Sequence, residues 1–119
     1  MRHRHSVKSL NRNKAGRLAL SRSQLISLIM HQSITTTVTK AKILRSQIER
    51  LITTAKPNRL SDRRQLLQRL GGHSKATMVL LTELGPKYSS RSGGYTRIIR
   101  LPKKRAGDNA TIARLEFID

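Results

Sequence analysis

Uncompensated positive charge is the feature that most restricts what this chain can form. The sequence carries 25 Lys and Arg residues against 6 Asp and Glu, a formal net charge of +19. Such a chain repels itself, and this repulsion opposes compaction. A polyanion that releases its counterions on binding would supply the missing compensation. The charge therefore favours a nucleic-acid ligand, while composition alone leaves an anionic membrane surface open.

The charge is densest at the start of the chain, MRHRHSVKSLNRNKAGRLALSR, which contains no acid. We interpret residues 1–13 as an extended basic arm and residues 14–119 as one domain, because helical periodicity begins near Lys14. A like-charge block is commonly a solvated tail. We favour an arm that orders against RNA, as arginine-rich segments do. The candidate RNA contacts here are Arg2, His3, Arg4, His5, Lys8, Asn11, Arg12, Asn13, Lys14, Arg17 and Arg22.

Patterns for metal binding and catalysis are weak. His3 and His5 are two residues apart with no third ligand nearby, so we predict no metal site and no cofactor. The six acids are scattered along the chain, and it has no nucleophile elbow. We interpret Asp62 as a helix-start residue rather than a catalytic one. The sequence predicts a protein that is not an enzyme and has no small-molecule substrate.

Signals for secretion and membrane insertion are also missing from the sequence. No residue is Cys, which excludes disulfides and fits a reducing compartment. The basic start is not followed by an apolar segment of signal-peptide length, and the best apolar run, 25–30, is too short to span a bilayer. The arm lacks the apolar face that interfacial helices use. We therefore expect no membrane partner.

The first half of the chain predicts a helix, a strand and a second helix. The first helix starts near Lys14, although a capping box at Ser21 allows a later start. Its apolar face is predicted to hold Ala15, Leu18, Leu25, Ile26, Ile29 and Met30. The β-branched run 34–38 favours a strand, after which Thr39 can cap a helix that Pro57 ends. The apolar face of this second helix is Ala41, Leu44, Ile48, Leu51, Ile52 and Ala55, and its outer face is Lys40, Lys42, Arg45, Glu49 and Arg50.

The middle of the chain predicts two shorter helices. Ser61-Asp62 starts one of them, and Gly71-Gly72 stops it. Ser74 caps the next, which Gly85-Pro86 terminates.

The last part of the chain predicts a β-hairpin. Residues 95–101 and 111–118 read as strands joined by a basic loop, with Leu115 and Phe117 on one face. A lone hairpin is marginal in water, so a third strand or a helix layer must cover it. The predicted order is α-β-α-α-α-β-β. This is a two-layer α+β domain in which a small three-stranded sheet packs on helices and a basic N-terminal arm precedes them.

Two loops carry further candidate RNA contacts. In Arg91-Ser92-Gly93-Gly94-Tyr95-Thr96-Arg97 the paired glycines permit close approach of the backbone to a partner. They precede a strand rather than a helix, which argues against a phosphate loop. The three cations at the hairpin tip could enter a nucleic-acid groove, although a solvated tip needs no ligand. The candidates in these loops are Arg91, Gly93, Gly94, Arg97, Lys103, Lys104 and Arg105.

Several segments together resemble one known family. The most specific are MRHR followed by LNRN, then SRSGGYTRI and RAGDNA, with ITTTVTKAKILR and LITTAK between them in order. These segments are similar to the bacterial large-subunit ribosomal protein L17 family over nearly the whole chain, and least distinctly over residues 58–77.

The resemblance implies a structural protein that binds large-subunit ribosomal RNA near the solvent-side rim of the peptide exit tunnel, beside neighbouring large-subunit proteins. Its basic N-terminal segment, matched here by residues 2–22, would lie against RNA, and residues 91–97 and 105–109 match other characteristic segments. The implied location is the ribosome, in the cytoplasm or in an organelle. Charge alone also leaves a duplex-DNA packaging protein and an anionic-membrane binder as alternatives.

Overall fold

Helices and strands follow one another in the predicted order. The structure, a computed structural model, describes residues 10–119. The α+β class is confirmed. A π-helical turn (Leu80–Leu84) joins two short helical segments into one continuous fourth helix. In chain order the elements are α1 (Lys14–His31), β1 (Ser33–Thr37), α2 (Val38–Ala55), α3 (Leu60–Arg69), α4 (Ser74–Val79), the π-helical turn, α5 (Gly85–Lys87), β2 (Thr96–Arg100) and β3 (Ile112–Phe117).

A three-stranded antiparallel sheet covers one side of α2. Its strand order is β1-β3-β2, so the hairpin of β2 and β3 gains β1 as its third strand. Ile34, Leu115 and Ile98 lie opposite one another across the three strands, and all three pack in the hydrophobic core. The predicted hairpin and the predicted need for a third strand are both confirmed.

The central helix is α2, which contacts α1, α3, α5 and every strand. Its six predicted apolar positions are all buried. The core also contains the three aromatic residues of the chain, and the rings of Tyr88 and Tyr95 lie 5.1 Å apart between centroids. The core is therefore mainly aliphatic, with an aromatic cluster at the end of the sheet where the chain finishes.

Two helix caps differ from the predictions by one or two residues. Thr37 caps α2 instead of Thr39, because the strand ends one residue earlier than predicted and the helix starts at once. His73 caps α4 instead of Ser74, and its Nδ1 accepts a hydrogen bond from the Ala76 N–H at 3.1 Å. An imidazole nitrogen can accept in the same way as the usual cap oxygens, and residue type alone did not reveal this.

Gly85 lies inside the last helix, so the predicted helix end at Gly85-Pro86 is wrong. A Cβ at Gly85 would lie 3.1 Å from the Leu80 carbonyl oxygen and 3.2 Å from the Ala55 carbonyl oxygen. The missing side chain therefore allows this helix to approach the end of α2 closely. Helical structure continues to Lys87.

The first half of α1 extends beyond the core. The helix is continuous through Ser21, so the alternative of a break there is wrong. Leu18 is 49% exposed and Met30 is 40% exposed, and Ala15 is exposed as well. The apolar face predicted for this helix is therefore only partly buried, because helical spacing does not tell which part of such a face the neighbouring elements cover. The buried residues of α1 are Leu25, Leu28 and Ile29.

The start of α3 contains the most buried carboxylate among the described residues. Asp62 is 5% exposed, and its Oδ2 accepts hydrogen bonds from Nε of Arg59 at 3.0 Å and from the Arg59 N–H at 3.1 Å. The side-chain hydrogen bond from Arg59 is the main reason that the pKa of Asp62 lies below its ordinary value, while burial acts in the opposite direction. The predicted helix-start role of Asp62 is confirmed.

We expect Asp62→Asn to lower the urea midpoint of unfolding at pH 7. Because the pKa of Asp62 is lower in the folded chain, the ionised carboxylate stabilises the fold above its unfolded pKa of about 3.9. That contribution is lost as the pH falls through the lower folded pKa. The midpoints of the variant and the original chain should converge in acid. Asp119→Asn, at a fully exposed acid, is the control, and equal midpoints for Asp62→Asn at pH 7 would contradict the prediction.

Candidate nucleic-acid interface

The residues before α1 fold back on the start of the helix. Nη1 of Arg12 donates to the Leu10 carbonyl oxygen at 3.0 Å, and Nη1 of Arg17 donates to the Arg12 carbonyl oxygen at 2.9 Å. Oδ1 of Asn13 accepts from the Gly16 N–H at 2.8 Å and caps the helix. These predicted contact residues thus also shape the turn. Asn11, Arg12, Asn13 and Lys14 are exposed, whereas Arg2, His3, Arg4, His5 and Lys8 lie outside the described residues.

A groove of about 510 Å³ runs between the exposed half of α1 and the outer face of α2. Residues from both helices line it at steps of three and four, the spacing of one helix face. Its apolar lining consists of Leu10, Leu18 and Ile43, and its cations are Lys14, Arg17, Lys42 and Arg50.

Arg50 joins this groove to two further depressions. One lies between α1, α2 and α3 and contains Arg22 and Arg69. The other lies between α2 and the loop after α5 and contains Arg69 and Gly93. We call the combined surface the α2 groove. In the described part of the chain its cations are Lys14, Arg17, Arg22, Lys42, Arg50 and Arg69, and its one acid is Glu49.

Arg22 connects α1 to the end of α3. Its Nε lies 3.3 Å from the Arg69 carbonyl oxygen, and its Nη2 lies 3.4 Å from the Gln68 carbonyl oxygen. Carbonyls at the end of a helix lack the usual donors of the helix, and the guanidinium supplies donors there, although the Gln68 carbonyl oxygen also accepts from the Gly71 N–H at 3.2 Å. This predicted contact residue therefore also holds together the middle of the α2 groove.

The glycine loop, residues 91–95, is held in place against the end of α2. The Arg91 carbonyl oxygen accepts hydrogen bonds from Nζ of Lys56 and from the Tyr95 hydroxyl, the latter at 3.3 Å. Nη1 of Arg91 donates to the Gly94 carbonyl oxygen at 3.2 Å. A Cβ at Gly93 would meet nothing within 4 Å. The loop therefore presents open backbone to the α2 groove, as the paired glycines predict.

The sequence of this chain matches a known family. Residues 20–118 match the family described as Ribosomal protein L17. This chain belongs to the ribosomal protein L17 family. It is also 46% identical over 119 residues to the Large ribosomal subunit protein bL17 of Persephonella marina, covering 100% of this chain and 96% of that relative.

Membership of the L17 family confirms the resemblance found in the sequence. It assigns the chain to the structural proteins of the large ribosomal subunit and confirms that it is not an enzyme. This family assignment replaces the two alternative functions that charge alone allowed, which were chromosome packaging and membrane binding. Within residues 10–119, no three acidic or histidine side chains cluster as metal ligands, and no helix has the length and hydropathy needed to cross a bilayer.

Arg97 lies on the opposite face of the sheet from α2. Its Nε is 2.8 Å from Oε1 of Glu116, its neighbour on β3, and Nε of Arg114 is 3.3 Å from Oε2 of the same carboxylate. Successive strand residues point to opposite faces, so Arg97 is separated from the α2 groove, although Arg91 is close in sequence. The structure thus divides the glycine loop candidates between two surfaces.

The hairpin tip, residues 102–109, also lies apart from the α2 groove. It leaves the sheet beside the start of α2, where the Val38 N–H donates to the Thr111 carbonyl oxygen at 3.2 Å. No residue of the tip lines the groove. Lys103 and Lys104 are exposed in it, so the tip forms a second, separate cationic surface.

Arg105 is paired within the tip. Its guanidinium contacts both carboxylate oxygens of Asp108, with Nε 3.1 Å from Oδ1. The hydrogen bond from Arg105, followed by that from the Ala110 N–H, lowers the pKa of Asp108 to about 2. Arg105 therefore shapes the loop, and Lys103 and Lys104 are the tip cations more available to a partner.

Three cations of the α2 groove are not among the RNA contacts that the sequence predicts. The helical pattern places Lys42 and Arg50 on the outer face of the second helix without indicating a ligand, and it indicates no role for Arg69. Lys42, Ser46 and Arg50 recur every four residues, a polar stripe visible in the sequence. That this stripe faces the exposed half of α1 depends on tertiary packing, which the spacing does not contain.

Proposed function

We propose that this chain binds and stabilises large-subunit ribosomal RNA in the bacterial cytoplasm and thereby supports translation. The observation that carries the proposal is the α2 groove, where six cations and one acid line a continuous surface. In the ribosome, the polyanion that such a surface would bind is ribosomal RNA. Residues 14–119 act as one domain that positions the groove, and the basic arm predicted over residues 1–13 supplies further cations for RNA.

The mechanism is neutralisation of phosphates from RNA segments that would otherwise repel each other. Arginine in the groove, as at Arg17 and Arg50, can hold phosphate with two parallel hydrogen bonds, whereas Lys14 supplies a point charge. The open backbone at Gly93 allows a phosphate to approach closely. The hairpin tip offers Lys103 and Lys104 to another RNA segment.

We further propose contacts with neighbouring large-subunit proteins near the rim of the peptide exit tunnel. The sheet face that turns away from α2 supports a protein contact. It carries half-buried Ile99 and Ile112 beside the ion pairs of Glu116, and such mixtures of apolar and charged groups are typical of protein interfaces. Crosslinking from Ile99 within intact large subunits should capture another ribosomal protein.

The main test combines sedimentation with binding at graded salt. The chain should cosediment with large ribosomal subunits in a sucrose gradient. Purified protein should bind large-subunit RNA with an affinity that falls about a thousandfold between about 50 and about 200 mM salt, as expected for roughly six phosphate contacts. Duplex DNA of equal length is the control and should bind more weakly. Sedimentation apart from ribosomes, or salt-independent binding, would refute the proposal.

A further inference from the structure

Apolar side chains in the α2 groove are not explained by phosphate binding. Leu18 is 49% exposed, and it lines the first depression together with Leu10 and Ile43, among four cations. Single exposed apolar residues are normal on protein surfaces. Here exposed Leu18 converges with half-buried Leu10 and Ile43 in one groove, which suggests a ligand with an apolar part. Phosphate groups gain no binding free energy from contact with apolar side chains.

An unused hydrogen-bond acceptor lies beneath the lining of the same depression. Oε1 of Gln47 is buried and has no hydrogen-bond partner among the described residues, and Gln47 lines the groove between Ile43 and Arg50. Buried acceptors almost always have a donor. A phosphate diester has no donor to offer, whereas nucleobase amines and the ribose 2′-hydroxyl have one.

We infer that this depression holds one nucleotide turned out of the RNA stack. Its base packs against Leu18 and Ile43, a rotation of the Gln47 side chain brings Oε1 to a donor of the nucleotide, and Arg17 and Arg50 hold the adjoining phosphates. Unstacked bases are a common target of RNA-binding proteins and pack on flat or apolar side chains, including arginine. The inference rests on the proposed RNA binding and specifies the kind of RNA element that is bound.

Charge opposes a second copy of the chain as the occupant. Such a copy has the same net charge of +19. Four cations line the depression, so the copy would be repelled by it. Its volume of about 510 Å³ lies within the usual range of sites for small molecules, about 300–1,000 Å³.

A photocrosslinker at Leu18 tests the position of the nucleotide. The full chain with benzoylphenylalanine at this position is bound to large-subunit ribosomal RNA and irradiated, and the crosslinked nucleotides are mapped by primer extension. Crosslinks should concentrate on an unpaired nucleotide. Crosslinks confined to paired regions, or spread evenly along the RNA, would overturn the inference.

Leu18→Ser, which keeps every charge, tests the energetics. Its affinity for the RNA should be about fivefold to tenfold weaker. This is the loss expected when the exposed half of a leucine side chain is no longer available to be buried on binding. The salt slope should not change, because the slope counts phosphate contacts. Met78→Ser, at a 45% exposed methionine outside the groove, should leave affinity unchanged.

The outcomes separate the two proposals. Unchanged affinity in Leu18→Ser, with the salt slope of the original chain intact, would overturn the nucleotide site while RNA binding stands. A lower salt slope in Leu18→Ser would also overturn it, since the change would then have disturbed the cations. Salt-independent binding by the original chain would refute RNA neutralisation itself, and the nucleotide site with it. Circular dichroism checks that both variants fold.

Discussion

Reversing two cations of the α2 groove, in the double variant Arg17→Glu with Arg50→Glu, should weaken binding to large-subunit ribosomal RNA by about a hundredfold or more. Arg17 and Arg50 line the same depression from α1 and α2. A charged hydrogen bond contributes about 1.5–3 kcal/mol, and two are lost. The salt slope should fall by about two, since each phosphate contact contributes about one. Filter binding at several salt concentrations measures both quantities.

The control for this prediction is Arg63→Glu combined with Lys75→Glu. Both residues are exposed and neither lines the α2 groove, yet the change in net charge is the same. We expect a much smaller loss of affinity from this pair, because only the long-range attraction is reduced. Equal losses in the two double variants would show that net charge matters and the groove does not.

Truncating Leu115 to alanine should remove a large part of the stability of the fold. Leu115 is fully buried on the central strand, between Ile34 and Ile98. Removing a buried leucine side chain typically costs about 2–5 kcal/mol, because the cavity that it leaves does not collapse completely. Domains are stable by only about 5–15 kcal/mol. Urea denaturation followed by circular dichroism should show the lower midpoint.

Ile112→Ala is the matched control on the same strand. Ile112 is half-buried and points to the opposite face from Leu115, because they are three residues apart on one strand. Its truncation should therefore cost clearly less. A larger loss at Ile112 than at Leu115 would mean that the buried face of the sheet had been assigned wrongly.

Local patterns predicted the elements of this fold well. The six apolar positions of α2 follow helical spacing, and all are buried, because this helix is covered along its whole length. The same rule failed for Leu18, since nothing in the spacing tells that the core ends before the first turns of α1. The helix end predicted at Gly85 failed for a related reason. The missing side chain at this glycine allows close contact with the Ala55 carbonyl oxygen, which belongs to a residue distant in sequence.

The candidate site was predictable only in part. Charge density and paired glycines indicate the start of the chain and the glycine loop, and of these Lys14, Arg17 and Gly93 line the α2 groove. The link between them, Arg50, required knowledge of which helix faces α1. The alternation of side chains along a strand could have predicted that Arg97 and Arg91 lie on different surfaces. The partner of Arg97, Glu116, becomes evident only from the register of β2 and β3.

The separate linings of the hairpin tip and the α2 groove have a mechanical consequence. If RNA segments occupied both surfaces, the hairpin and α2 would hold them at a fixed separation, so the domain would act as a rigid spacer. The length of this spacer depends on strand length. Each residue added to both β2 and β3 would move the tip outward by about 3.4 Å, and an RNA segment bound at the tip would have to move with it.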